Sequence, residues 1–278
     1  MLKQRILTAL VLLPLTIGAV LGLSSPWFAV AVAAVWLFAA GEWVRVMALE
    51  SAWARGFSFV LLATAIGVAV SIAFLSGHRV IVDAVIAAAV IWWLVAALWV
   101  ARFPAGFSPG TPMSTRTLIV GVLILVPSLL AMIRLHALPD IGPRLVLLLL
   151  VVVWAADSGA FFAGRRFGRH KLAPRVSPGK TWEGVLGGVI LAVIAYCLAA
   201  LALGLDLTRW VAVIAVVVMV VVSSVIGDLT ESMFKRHGGM KDSGHLLPGH
   251  GGLLDRIDSL TAAAPVFWLG VKWGHLAS

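Results

Sequence analysis

The sequence reads as an all-α, polytopic integral membrane protein, and three observations carry that reading. Of 278 residues, 62% are apolar and only 12% charged, against about 25% charged in ordinary soluble domains. A soluble fold of this size could not hide so much apolar surface, because much of any surface must face water. The apolar residues also gather into nine runs, each near the length that crosses a hydrocarbon core of about 30 Å. Finally, the basic residues sit unevenly between the two ends of those runs, as in membrane proteins with positive-inside loops. Together these exclude a water-soluble enzyme, a disordered chain and a secreted disulfide scaffold. The single cysteine, Cys197, permits no intrachain disulfide.

Taken in order, the runs cover approximately 6–23, 27–48, 57–75, 80–100, 117–135, 144–163, 184–204, 210–229 and 259–275. The first follows Lys3 and Arg5 like a signal peptide, but no A-x-A site comes after it, so it reads as a retained helix. The second contains Glu42 and Arg45, unusual company for a span. Trp27, Trp43, Trp53, Trp99, Trp182, Trp210 and Trp273 stand near run ends, where indoles favour the membrane interface. With the N-terminus placed in the cytoplasm, 16 Lys and Arg fall inside and 5 outside. The net charge of +9 is then loop charge facing anionic lipid. No basic cluster interleaved with aromatics suggests nucleic acid.

The chain changes character midway. Residues 1–140 read as structural, lipid-facing helices; residues 141–278 add two long polar loops, 164–183 and 230–258, both cytoplasmic in this topology. Seven of the twelve acidic residues lie in or beside those loops. Carboxylates near membrane depth are expensive, so each is a functional candidate. Asp157, in WAADSGAFFAGRRFGR, is either such a site or a partner of Arg165 or Arg166. Ser224, Asp228, Glu231 and Ser232 share a helix face that suits a hard, oxygen-ligated cation such as Mg²⁺.

Gly238-Gly239 should stop that helix. Past the next loop, Asp255 and Asp258 open the last span at i and i+3, with Arg256 between them. Gly251 and Gly252 precede them, so this helix start offers metal carboxylates and backbone N–H groups for phosphate. In the other loop, RVSPGKTWEG invites a P-loop reading, but Pro174 stands where that motif needs Gly, and no strand is expected before it. Pro178-Gly179 reads as a turn, Lys180 as a phosphate contact and Thr181 as a helix N-cap with Glu183 in the first turn. His237, His245 and His250 have no zinc-site spacing.

The stretch from Ser232 to Asp258, SMFKRHGGMKDSGHLLPGHGGLLDRID, resembles the signature of the phosphatidate cytidylyltransferase (CDP-diacylglycerol synthase) family. Ser232, Lys235, Arg236, Lys241, Asp242, Pro248, His250, Gly251, Gly252, Asp255, Arg256 and Asp258 stand at its fixed positions. AADSGAFFAGRRFG and SPGKTWEG resemble the same family's upstream motifs. The resemblance is firm over about residues 150–275. It implies that CTP and phosphatidic acid are joined into CDP-diacylglycerol and pyrophosphate.

The residues suit that chemistry. Both reactants are polyanions and the nucleophile is an ionised phosphate oxygen, so positioning and charge neutralisation suffice. On the family resemblance, Asp228 and Asp255 bind Mg²⁺, with a second cation left open; Asp258, Glu231 and Ser224 are secondary ligands or orienters. Lys235, Arg236, Lys241 and Arg256 neutralise the triphosphate, and these with Asp228, Asp255 and Asp258 form the expected catalytic set. Ser177, Lys180, Thr181, His250, Gly251 and Gly252 are expected substrate contacts, and Arg165, Arg166 and Arg169 would hold the lipid headgroup. The expected partners are CTP, phosphatidic acid and membrane lipids, not nucleic acid; a homodimer is left open. The expected location is a bacterial-type inner membrane, with the active site toward the cytoplasm. The rivals are an ion-coupled transporter, which should show inverted repeats, and another lipid phosphotransferase. The chain has no repeat symmetry and no Asp-Gly, with which the CDP-alcohol transferase pattern begins.

Overall fold

The structure is a computed structural model, describing residues 2–74, 78–105, 115–205, 210–244, 246 and 251–273, without the side chains of residues 2–7 and 9. Among the described residues there are nine helices: α1 (Leu2–Gly22), α2 (Ser25–Val46), α3 (Ala52–Phe74), α4 (Arg79–Arg102), α5 (Thr115–His136), α6 (Gly142–Phe167), α7 (Trp182–Ala202), α8 (Trp210–His237) and α9 (Leu254–Trp273). Seven of them, α2 to α8, are long and apolar enough to cross a membrane. The all-α, multi-pass architecture is therefore as expected from the apolar runs.

One local expectation is corrected. Between α6 and α7 lies a two-stranded antiparallel hairpin, β1 (Lys171–Ala173) and β2 (Ser177–Thr181). The turn is not at Pro178-Gly179, which lie inside β2; it falls between the strands, where Val176 N–H donates to the Ala173 carbonyl at 3.1 Å. A strand does precede Gly179-Lys180-Thr181. With only two strands both are edges, so Pro178 can sit in β2 without breaking a ladder. The N-cap at Thr181 is as expected: its Oγ1 accepts from Gly184 N–H at 3.1 Å.

Side-chain contacts define the two ends of the bundle. At one end Trp43 of α2 donates through Nε1 to the Thr117 carbonyl of α5 at 2.8 Å. Its ring lies 5.3 Å from Phe234 of α8, which Trp99 of α4 meets edge-on at 5.5 Å. Trp43 is fully buried, which corrects its assignment to the lipid interface; Trp27, Trp53, Trp182, Trp210 and Trp273 are exposed. At the other end His136 of α5 stacks on Phe28 at 4.0 Å and bridges Ser25 Oγ and the Val20 carbonyl.

Two close helix approaches position the polar loops. Against α6, α7 presents Gly184, Gly187 and Gly188. A Cβ at Gly188 would lie 2.8 Å from the Ala156 carbonyl and one at Gly184 2.9 Å from that of Ala160. Small residues thus bring two backbones together, as membrane helices require. Where α8 meets α9, a Cβ at Gly227 would come within 2.6 Å of the Asp258 carbonyl, placing Asp228 and Asp258 side by side on adjoining helices. The C-terminus of α8 closes as the sequence suggests. Gly239 has φ +71°, and its N–H and that of Met240 donate to the Arg236 and Lys235 carbonyls.

Candidate active site

The Trp43 end of the bundle carries an open cavity of about 510 Å³ between α6, β2, α7 and α8. Asp157 and Arg165 reach it from α6, Ser177 and Lys180 from β2, and Ser224 and Asp228 from α8. Lys180 Nζ lies 2.6 Å from Asp228 Oδ2, and Ser232 Oγ donates to Asp228 Oδ1 at 3.2 Å. Neither Arg165 nor Arg166 forms an ion pair with Asp157 among the described residues. Asp157 instead feels Asp228, Lys180 and Arg256 electrostatically. Of the two alternatives open to Asp157 in the sequence, its place on the cavity favours a site role over pairing with Arg165 or Arg166.

A second, closed set of charges lies across α8. Lys235 Nζ is 2.6 Å from Asp255 Oδ1 and 2.9 Å from Glu231 Oε1, the latter an ion pair without hydrogen-bond alignment. Asp255 also accepts from Ser243 N–H at 3.1 Å and Gly252 N–H at 2.9 Å. Both its oxygens are thereby engaged inside the protein. Asp258 lies between the two sets: it feels Asp228 and Asp157 on one side, and Glu231 feels it on the other.

The start of α9 differs from the phosphate cradle expected from Gly251-Gly252. Gly251 does take a left-handed turn, φ +81°. The Gly252 N–H, however, serves Asp255, and the Leu254 N–H donates to Glu42 Oε2 at 2.7 Å. Two internal carboxylates fill the positive end of the helix, so an incoming phosphate would have to displace one of them. Glu42 was passed over in the sequence as an oddity of α2.

Other expected contacts divide. Thr181 lines the cavity, and its hydroxyl oxygen also accepts the α7 cap bond from Gly184 N–H. Arg236 donates through Nε to the Val176 carbonyl at 3.4 Å, tying α8 to the hairpin. Arg166 lies over Phe167, 5.5 Å from the ring centroid. Arg166, Arg169 and Lys241 are exposed and do not line the cavity. Glu183 holds the hairpin's approach, accepting from the Arg169 and His170 N–H groups and from His170 Nδ1 at 2.6 Å. His250 lies outside the described residues, as do His245 and Pro248.

Among the described residues no three His, Cys, Asp or Glu are already gathered around one point. Mg²⁺ needs no such cage, since it commonly takes one or two carboxylates and completes its shell with water and substrate phosphate. Asp157 and Asp228 on one cavity are a pair of that kind, and the Lys180 ammonium already rests on Asp228 as a cation would. Asp255, with both oxygens held, is the poorer ligand of those expected.

Comparison with known proteins agrees with the motif. A model described as "Cytidylyltransferase family" matches residues 3–273. A phosphatidate cytidylyltransferase of Pseudomonas aeruginosa is 44% identical over 269 residues, covering 96% of each chain. One of Haemophilus influenzae is 39% identical over a 287-residue alignment, covering 96% of this chain and 97% of its own. One of Brucella suis is 48% identical over 128 residues, 46% of this chain and 47% of its own. With a family model spanning nearly the whole chain, and relatives matched end to end, the chain belongs to the cytidylyltransferase family.

Proposed function

We propose that the chain is a phosphatidate cytidylyltransferase, joining CTP and phosphatidic acid into CDP-diacylglycerol and pyrophosphate. The observation that carries the reading is the cavity at one end of a membrane bundle, where carboxylates and cations from α6, β2 and α8 converge. A phosphate oxygen of phosphatidic acid attacks the α-phosphorus of CTP. The new P–O bond forms as the bond to the bridging β-phosphate oxygen breaks, and pyrophosphate leaves with that electron pair. No proton need move, so the reaction requires no general base.

Asp157 and Asp228, with Asp258 beside them, are the residues that would hold Mg²⁺. When bound, the ion supplies charge neutralisation at the reacting phosphates. Lys180, Arg165 and Arg256 do the rest of that work from the protein, with Ser177 orienting a phosphate oxygen. Arg166 and Arg169, exposed at the end of α6 and just beyond it, would attract the anionic lipid before it enters. The basic residues favour the cavity end facing the cytoplasm of a bacterial inner membrane, where CTP is made.

The test is direct. Protein purified in detergent is given labelled CTP, phosphatidic acid and Mg²⁺. Label should enter a lipid and pyrophosphate should appear in equal amount, each dependent on both substrates. EDTA should stop both. Undiminished product after EDTA treatment would remove the cation from the proposal, and no labelled lipid would remove the reaction. In intact cells of a Cys197→Ala background, an impermeant maleimide should not reach a cysteine placed at Arg175, an exposed position in the hairpin turn.

A further inference from the structure

We infer that Glu42 is a positioning residue for the reaction, a lock by which the N-terminal half of the chain sets the start of α9. The inference rests on the proposed function and adds a residue to it. Glu42 lies in α2, is 1% exposed, and meets nothing in the cavity. Its Oε2 accepts from Ser243 Oγ at 2.9 Å and from Leu254 N–H at 2.7 Å. Ser243 passes the connection on, since its N–H donates to Asp255, which holds Lys235. One carboxylate therefore ties Ser243, within the segment between α8 and α9, to the first residue of α9.

The surroundings make room for this side chain through two glycines. A Cβ at Gly244 would strike Glu42 Oε1, and one at Gly252 would strike both Oε2 and the Ser243 hydroxyl. Oε1 has no hydrogen-bond partner among the described residues. A buried carboxylate half-satisfied in this way is expensive, and its return is orientation. The first turns of α9 carry Arg256 and Asp258, the groups that face Asp157 and Asp228. The lock thus acts on α9, while Lys180, Ser177 and Arg165, on β2 and α6, are held independently of it.

That division gives the lock a kinetic signature. Glu42→Ala should lower kcat by roughly tenfold or more, with KM for CTP changed little. Glu42→Gln keeps a carbonyl oxygen for Leu254 N–H and Ser243 Oγ, and should recover most of the loss. Ser243→Ala removes one leg and should cost about threefold in kcat, and it stands in if Glu42→Ala does not fold. Hydrogen exchange read on the holoenzyme should quicken over 241–256 in Glu42→Ala and stay unchanged over 142–160. Unchanged exchange over 241–256, or a rise in KM with kcat intact, would overturn the lock. Arg256→Ala, run in parallel, separates the two layers. If it abolishes activity while folded Glu42→Ala keeps it, the lock is wrong. If it retains full activity, the proposed roles of α9 in the reaction are wrong.

Discussion

The two ends of the bundle use the same residue types to opposite purpose. At the His136 end, Asp83 of α4 accepts from Trp268 Nε1 at 3.1 Å and pairs with Lys272 at 2.5 Å and Arg134 at 3.8 Å. Arg134 in turn lies 5.1 Å from the Trp268 ring centroid. One carboxylate there is shared by two cations, and the group ties α4, α5 and α9 together. At the other end Lys180 and Asp228 pair just as closely, but beside Asp157 and on an open cavity. A closed set holds helices together; a set left partly unmatched can exchange an internal cation for a ligand. The distinction lies in the neighbours and not in the residues.

The largest effects should come from the open set. Asp228→Asn and Asp157→Asn each remove one negative charge from the cavity while keeping shape. Each should lower kcat by about a hundredfold or more and raise the Mg²⁺ concentration needed for half-maximal rate. Melting temperatures should stay near that of the parent. A variant at either position with normal rate at limiting Mg²⁺ would erase the contrast between the ends. Lys180→Ala should lose less, about tenfold in kcat/KM, because Arg165 still serves the same cavity.

Asp255 sharpens the comparison, being at the functional end yet closed. Asn at 255 keeps one acceptor but leaves Lys235 with Glu231 alone. We expect about 1–3 kcal/mol of lost stability, the range for disturbing a buried polar partner, and a fall in rate that follows the loosened α9 start. The Mg²⁺ requirement should be unchanged. A shifted requirement with parental stability would return Asp255 to the ligand role its motif suggests. Asp83→Asn belongs to the closed end outright. It should lower the melting temperature and leave kcat and both KM values as they were, measured in one detergent preparation.

Much of this was legible in the sequence. Apolar runs near the length of a span mark the helices, because backbone in lipid must satisfy itself. Gly238-Gly239 and Thr181 mark helix ends through local chemistry that needs no tertiary knowledge. The clustering of acids in two loops pointed to the end of the bundle that carries the cavity. The hairpin was not legible, since its strands are 3 and 5 residues long and one contains Pro-Gly. Nor were the states of individual carboxylates. Asp255 and Asp228 look alike in sequence, and only the fold shows one surrounded by internal donors and the other open. Glu42 meets Ser243 across 201 residues. The one hint was its expense: a carboxylate and an arginine inside an apolar run demand a reason. Trp43 was misplaced for the same cause, because a position near a run's end says nothing about which helix covers it.

The smallest expected effect is at Asp140, and it tests whether position or chemistry decides. Like Asp228 it is an aspartate of the bundle, but it lies in the short connection between α5 and α6 and joins no ion pair among the described residues. Its backbone is left-handed, φ +61°. Asp and Asn tolerate that region better than other residues with a Cβ, because their short polar side chains can bond the local backbone. Asp140→Asn removes the same charge as Asp228→Asn and should change neither rate nor melting temperature. Asp140→Val should keep the rate but lose about 1–2 kcal/mol, the steric cost of a left-handed residue. Asp140→Gly should be neutral or slightly stabilising. If Asp140→Asn lowered the rate as far as Asp228→Asn does, charge anywhere on the chain would matter, and the division into an open and a closed end would explain nothing. A silent Asn with a destabilising Val would instead assign the residue to its backbone, leaving the open cavity as the place where a carboxylate's charge decides the reaction.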